Sequence, residues 1–116
     1  MNILVCIKQV PDTTEIKIDP VTNTLVRDGV PSIINPFDGY ALEAAARIKD
    51  QDPDTRIVVL SMGPKQAEAA LREALAIAAD KAYLVTDRMF GGSDTLATSY
   101  ILYNAISKVE ELEGLK

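Results

Sequence analysis

The sequence has no histidine and no tryptophan, and it contains a single cysteine, Cys6. Without histidine, the chain has no imidazole for a catalytic triad, a general base or a metal site. One cysteine excludes an intrachain disulfide and a cluster of thiolate metal ligands, and a lone reduced thiol favours a reducing compartment. The sequence therefore excludes catalysis or metal binding that depends on histidine or on several cysteines.

Basic clusters and long hydrophobic runs are also absent. The sequence has 12 lysine and arginine residues and 17 acidic residues, which gives a net charge of −5. Because the basic residues form no cluster, the sequence predicts no basic face for nucleic acid. A partner with basic patches is easier to accommodate than one with acidic patches. No apolar run approaches the length of a transmembrane segment, and the N-terminus has neither the basic region nor the cleavage site of a signal peptide. We therefore expect a cytoplasmic protein.

Apolar runs alternate along the chain with helical patterns, and 47% of the 116 residues are hydrophobic. Strands are predicted at 3–10, 56–62 and 81–87, helices at 35–50, 67–78 and 93–112, and a hairpin-like excursion at 15–27. This order predicts a three-layer α/β/α domain over residues 1–116, with a mainly parallel sheet and right-handed crossovers. Because a doubly wound sheet would continue with another strand, we expect this chain to be the N-terminal portion of a longer subunit.

Cap residues and apolar periods predict how the helices begin, end and pack. Asn35 suits an N-cap, Pro36 the first helical position, Asp38 the first turn and Gly114 a helix stop. Cys6 is interpreted as a packed small residue, and the acids Glu110, Glu111 and Glu113 as a solvated helix end. The predicted buried faces are Ala41, Leu42, Ala45 and Ile48; Ala67, Ala70, Leu71, Ala74, Leu75 and Ala78; and Leu96, Tyr100, Tyr103, Ile106, Val109 and Leu112.

The segment DRMFGGSDTLATS, residues 87–99, follows the third predicted strand, where open α/β sheets bind ligands. Gly91 and Gly92 would let backbone N–H groups approach a phosphate, whereas Asp94 would repel one and suits sugar hydroxyls or a helix cap. Arg88 suits a phosphate or a flavin edge, and Phe90 suits stacking on a ring. Thr95 and Thr98 share a helix face. The alternative is a loop and helix start that need no ligand.

Three other positions near the same edge of the sheet also have two interpretations. Phe37 is first an apolar staple into the core and second a stacking platform. Lys8 at the end of the first strand either contacts an anion or is solvated. Met62 either lines a pocket or fills one.

Four segments together resemble the beta subunit of electron-transfer flavoproteins. They are VCIKQVPDT at 5–13, NPFDGYALEAAARIKD at 35–50, SMGP at 61–64 and ALAIAADKAYLVTDRMFGGSDTLATS at 74–99. The resemblance extends over essentially all of this chain, and it corresponds to somewhat less than half of the family's length.

The resemblance implies a heterodimer with an alpha subunit that carries a shuttling FAD. The beta subunit of this family binds AMP with a structural role or, in electron-bifurcating members, a second FAD that NADH reduces. In bifurcating members, one electron from that flavin passes uphill to ferredoxin or flavodoxin and the other downhill through the alpha FAD. In general, the pair transfers electrons between NADH or acyl-CoA dehydrogenase-type flavoenzymes and ferredoxin, flavodoxin or other acceptors. The chain would thus be an electron carrier, with NADH oxidation only in the alpha/beta complex.

The resemblance also implies roles for individual residues, and the segment 85–95 resembles the bifurcating group. Cys6 and Lys8 would line the nucleotide, with Met62 nearby, while Thr95 and Thr98 would lie on the flavin side. The adenosine part would be held by Asn35, Pro36, Phe37 and Asp38, and the flavin by Arg88, Phe90, Gly91, Gly92 and Asp94. Two alternatives remain: a non-redox adenine-nucleotide module of the stress-protein type, and a structural AMP-binding subunit of a simple electron shuttle.

Overall fold

The computed structural model describes residues 1–11, 20–21, 32–87 and 91–114. The strands are β1 (Asn2–Cys6), β2 (Gln9–Pro11), β3 (Ser32–Ile34), β4 (Arg56–Met62) and β5 (Lys81–Val85). The helices are α1 (Pro36–Gln51), α2 (Glu68–Ile77), which a 3₁₀ turn at Lys65–Ala67 precedes, and α3 (Thr95–Glu113). The predicted excursion at 15–27 lies outside the described residues apart from Pro20 and Val21.

A three-stranded parallel sheet forms the middle layer, with the order β1-β4-β5. Because β4 has a neighbour on each side and helices on both faces, Ile57, Val58, Val59 and Leu60 are at most 1% exposed. The predicted strand at 3–10 is wrong in its extent: β1 ends at Cys6, and β2 pairs antiparallel with β3 instead. The chain leaves the parallel sheet after the Ile7 N–H donates to the Leu60 carbonyl.

Helices cover both faces of the sheet, which confirms the predicted α/β fold class. The connections β1-α1-β4 and β4-α2-β5 advance in the same direction, so α1 and α2 lie on the same face. Their core comprises Val5, Ile7, Leu42, Ala45, Ile57, Val59, Ala70, Leu71, Ala74 and Ala79. On the other face, Val109 of α3 packs with Val58 and Leu60. None of the described helices is long and apolar enough to span a membrane.

The helix faces that pack differ in part from the predicted ones. Leu42 and Ala45 are buried as expected, whereas Ala41, Ile48, Leu75, Leu96, Tyr100, Tyr103 and Leu112 are exposed. On α3, the residues that approach the sheet are Leu102, Ala105, Ile106 and Val109. Apolar residues lie on several sides of α3, and a narrow three-stranded sheet covers only one of them.

Side-chain hydrogen bonds connect the C-terminal end of α3 to β4 and β5. The Glu113 side chain, predicted to be solvated, is only 7% exposed; it accepts from Arg56 at 2.8 Å and from the Tyr83 hydroxyl at 2.6 Å. These hydrogen bonds lower the pKa of Glu113, and the bond from Tyr83 contributes most. The hydrogen bond between Tyr83 and Glu113 also raises the pKa of Tyr83. Gly114 ends the helix at φ 64°, as predicted.

Candidate functional site at the carboxyl edge of the sheet

The carboxyl ends of β1, β4 and β5 meet at one edge because the three strands are parallel. Two backbone hydrogen bonds connect this edge: Gly63 N–H donates to the Val85 carbonyl at 3.0 Å, and Asn35 N–H donates to the Lys8 carbonyl at 2.8 Å. The N-terminus of α1 is therefore held beside the end of β1. Met62 lies at the end of β4, in register with Val85.

The α1 N-terminus has the cap chemistry that the sequence predicts. The Asn35 side-chain oxygen accepts from the Phe37 N–H at 2.9 Å, and Pro36 occupies the first turn, where a missing N–H costs nothing. Asp38 lies in the same turn, where the helix dipole favours a negative charge. Its carboxylate also accepts from the backbone N–H of Lys8 at 2.8 Å. This contact spans 30 positions, and no local sequence signal could have revealed it.

Two neighbouring residues are exposed, which corrects their predicted packing. Cys6 ends β1 as an exposed residue, because its side chain alternates away from the core residues Val5 and Ile7. Desolvation by the surrounding protein raises the pKa of its thiol, and the negative charge of Asp38 raises that pKa further. Phe37 is 79% exposed and meets Tyr40 edge to face, with ring centroids 6.3 Å apart. It is therefore available to a ligand or partner and is no staple.

The glycine loop leads into α3 through a carboxylate cap. Gly92 has φ 73°, a conformation that favours glycine, and both Gly91 and Gly92 are exposed. Asp94 is the N-cap: its Oδ1 accepts from the Ala97 N–H at 2.8 Å, so α3 begins at Thr95, later than the predicted Ser93. Arg88 and Phe90 lie outside the described residues, and their predicted roles stay predictions.

The predicted site residues fall into two groups along this edge. Contacts connect Cys6, Lys8, Asn35 and Asp38 into one group with Pro36 and Phe37. The described contacts of Asp94 and Thr95 are with α3 itself: Thr98 N–H donates to the Asp94 carbonyl and Ser99 Oγ to the Thr95 carbonyl. Thr98 is half-buried and Thr95 exposed.

The described edge carries mixed charge. Lys8 and Lys65 are its cations, and Asp38, Asp87 and Asp94 are its anions. Within the residues that the structure describes, no cluster of three or more potential metal ligands occurs.

A separate open groove of about 570 Å³ lies between β3, α1 and α2. Ile33, Ile34, Leu42, Ala46 and Ile77 form its apolar lining. It contains none of the predicted site residues, so the predicted site and this groove are distinct surfaces.

The fold defines an α/β domain with a parallel sheet, and the open carboxyl edge of such a sheet is its usual ligand-binding position. Residues 22–112 match the family model described as "Electron transfer flavoprotein domain". The chain belongs to this electron transfer flavoprotein family.

Three similar proteins give the extent of the relationship. The electron transfer flavoprotein subunit beta of Megasphaera elsdenii is 60% identical over the whole chain, which covers 43% of that protein. The caffeyl-CoA reductase-Etf complex subunit CarD of Acetobacterium woodii is 59% identical over 97% of the chain and 43% of that protein. Protein FixA of Azorhizobium caulinodans is 56% identical over 98% of the chain and 40% of that protein. The chain thus spans less than half the length of these relatives.

Proposed function

We propose that this chain is part of an electron transfer flavoprotein beta subunit that binds FAD at the carboxyl edge of its sheet. Together with an alpha subunit, it would transfer electrons between NADH or acyl-CoA dehydrogenases and ferredoxin, flavodoxin or other acceptors in the cytoplasm. The observation that carries this proposal is the 60% identity over the entire chain with a protein named as a beta subunit. That identity favours a redox subunit over a non-redox adenine-nucleotide module.

The residues of the edge fit the non-phosphate parts of a flavin nucleotide. Phe37 presents an exposed ring, Lys8 lies two residues after the end of β1, and Met62 is the last residue of the neighbouring strand β4. The backbone at Gly91 and Gly92 has no side chain to keep a ligand away, and a Cβ placed on Gly92 would meet no atom within 4 Å. These features would hold an adenosine on the α1 side and a ribityl chain or ring on the α3 side.

A bound flavin would supply the reversible acceptance of electrons, and the protein would supply position and electrostatics. This division of labour accounts for a chain without histidine or an acid–base pair at the site. The described residues would bind and orient the ligand: the α1 turn at the adenosine and Thr95 and Thr98 beside the flavin. Arg88 and Phe90 are proposed to complete the flavin side.

Electron bifurcation is the form of transfer that we favour. The segment 85–95 resembles the bifurcating group, and a relative at 59% identity is named as a subunit of a caffeyl-CoA reductase-Etf complex. FAD requires a loop that accepts both the flavin ring and the ribityl chain. A loop with two glycines and an adjacent aromatic residue suits that requirement.

AMP with a structural role is the second candidate, and one observation favours it. Asp94 uses its carboxylate to cap α3, so the loop is explained without any flavin. Under this alternative the subunit would stabilise a simple electron shuttle, and only the alpha subunit would carry a redox group.

The experiment that separates these candidates is a count of bound nucleotides. The complete gene product would be co-expressed with its alpha subunit, and the ligands released by acid would be quantified by chromatography. Two FAD and no AMP per heterodimer would support the flavin site and bifurcation. One FAD and one AMP would refute the second flavin and support the structural role. The absence of any nucleotide beyond the alpha flavin would refute binding at this edge.

A further inference from the structure

The backbone of Lys8 is held from both sides by the beginning of α1. The Lys8 N–H donates to Asp38 Oδ2 at 2.8 Å, and the Lys8 carbonyl accepts from the Asn35 N–H at 2.8 Å. We call these two hydrogen bonds the Lys8 latch. The neighbouring Ile7 N–H still donates to Leu60 in the parallel sheet. The latch therefore begins where the pairing of the first strand with the parallel sheet ends.

Two features show that the latch depends on the Asp38 side chain as well as on strand pairing. The antiparallel ladder of β2 and β3 pairs Gln9 with Ile34, and the Asn35-to-Lys8 bond extends that ladder by one step. Among the residues that the structure describes, the acceptor for the Lys8 N–H is the Asp38 side chain rather than a strand partner. A charged acceptor makes a stronger hydrogen bond than a neutral one, and the N-terminal position on α1 stabilises its charge.

We propose that Asp38 is a positioning residue that does not contact the nucleotide itself. Through the Lys8 latch, it sets the path of the chain from Cys6 to Gln9. This path determines the position of Lys8 at the edge of the proposed nucleotide site. This inference rests on the proposed function. It reassigns Asp38 from the ligand-contacting role that the family resemblance implies. One carboxylate oxygen is already occupied by the Lys8 N–H, which favours the positioning role.

The test compares Asp38→Asn with Asp38→Ala in the complete gene product, co-expressed with its alpha subunit. The asparagine amide oxygen can still accept from Lys8, whereas alanine cannot. Asp50→Asn on the last turn of α1 is the matched control, because it removes the same charge from the same helix far from the latch. Three quantities are measured on the folded complex: nucleotide occupancy, hydrogen exchange of the Lys8 amide, and the pH dependence of Cys6 alkylation. The extent of alkylation is then read from the Cys6-containing peptide after digestion.

We expect Asp38→Ala to lose most of the bound nucleotide and to exchange its Lys8 amide about tenfold faster. Asp38→Asn should keep occupancy within about twofold of wild type and retain amide protection, which is rescue by the conservative variant. Burial is the larger cause of the raised pKa of Cys6 and the negative charge of Asp38 is the smaller one, so Asp38→Asn should shift the Cys6 alkylation profile only slightly to lower pH. Asp50→Asn should change none of the three.

Several results would overturn the inference. Equal loss of nucleotide in both Asp38 variants, with the Lys8 amide still protected in Asp38→Asn, would mean that the charge contacts the ligand. Full occupancy in Asp38→Ala would remove the positioning role, and an unchanged Lys8 exchange rate there would remove the latch. If Asp38→Ala does not fold, an unshifted Cys6 profile in Asp38→Asn would show that the carboxylate does not face this turn. If wild type holds no nucleotide at this edge, the proposed function fails, while the exchange measurement still judges the latch.

Discussion

Replacement of Asp94 by alanine should destabilise α3 by a predictable amount. The change deletes the acceptor that Asp94 Oδ1 offers to the Ala97 N–H at 2.8 Å, and it leaves that N–H to solvent. Loss of an N-cap side chain costs about 1 kcal/mol, within a range of about 0.5–2 kcal/mol. Removing a negative charge from the N-terminus of a helix adds about 0.3–1 kcal/mol at low ionic strength. The sum is well below the stability of a typical domain, so the variant should still unfold cooperatively.

Asp94→Asn separates the cap from the charge. Asparagine caps helices about as well as aspartate, so this variant should lose only the charge contribution. Urea unfolding followed by far-UV circular dichroism measures both free energies, and the slope against urea should be unchanged. Equal destabilisation by asparagine and alanine would refute the cap as the dominant stabilising contact.

The same pair of variants tests the role of Asp94 toward a ligand. We expect Asp94→Ala to weaken flavin retention in the complex while the fold stays cooperative. If Asp94→Asn keeps its stability and also loses flavin, the carboxylate contacts the ligand directly. Retention of flavin in both variants would count against Asp94 as a site residue and leave it as a helix cap.

The remaining predictions concern packing and pH. Glu113→Gln should destabilise the protein at neutral pH, because the pKa of Glu113 is lowered in the fold. The difference in the free energy of unfolding between the variant and wild type should shrink as the pH falls below 4.5. A difference that stays constant with pH would contradict this. Leu42→Ala, at a side chain 1% exposed, should cost about 2–5 kcal/mol in urea unfolding, whereas Leu75→Ala, 42% exposed, should cost less than about 1 kcal/mol; similar values would contradict the observed helix faces. Gly114→Ala, at φ 64°, should cost about 1 kcal/mol by the same measurement, and no loss would argue against the left-handed cap.

Helix starts and strand cores were predictable because their causes are local. Asn35 and Pro36 signal the start of α1 by their own chemistry, and the run of apolar residues at 56–62 forms the central strand. The start of α3 was two residues off because both Ser93 and Asp94 are good cap residues, and only backbone geometry chooses between them. The end of the first strand was missed because apolar character continues past the point where pairing changes.

The candidate site was predictable as a location more than as a set of contacts. The order of elements predicts a parallel sheet, and ligands bind at the carboxyl ends of such strands. In the structure, the N-terminus of α1 lies beside the chain that leaves β1. Which side chains are engaged there did not follow. The family resemblance implies that Asp38 contacts a ligand, and its bond to Lys8 across 30 positions has no counterpart in the local pattern.

Local chemistry was sufficient for the alternation of strands and helices, the cap at Asn35, the stop at Gly114 and the fold class. The tertiary structure alone decided that Tyr100 and Tyr103 face outward, that Glu113 is enclosed by Arg56 and Tyr83, and that the first strand ends at Cys6. The physical reason is the range of the interactions. Caps and periodicity act over one helical turn, whereas burial and long-range hydrogen bonds depend on which surfaces the folded chain brings together.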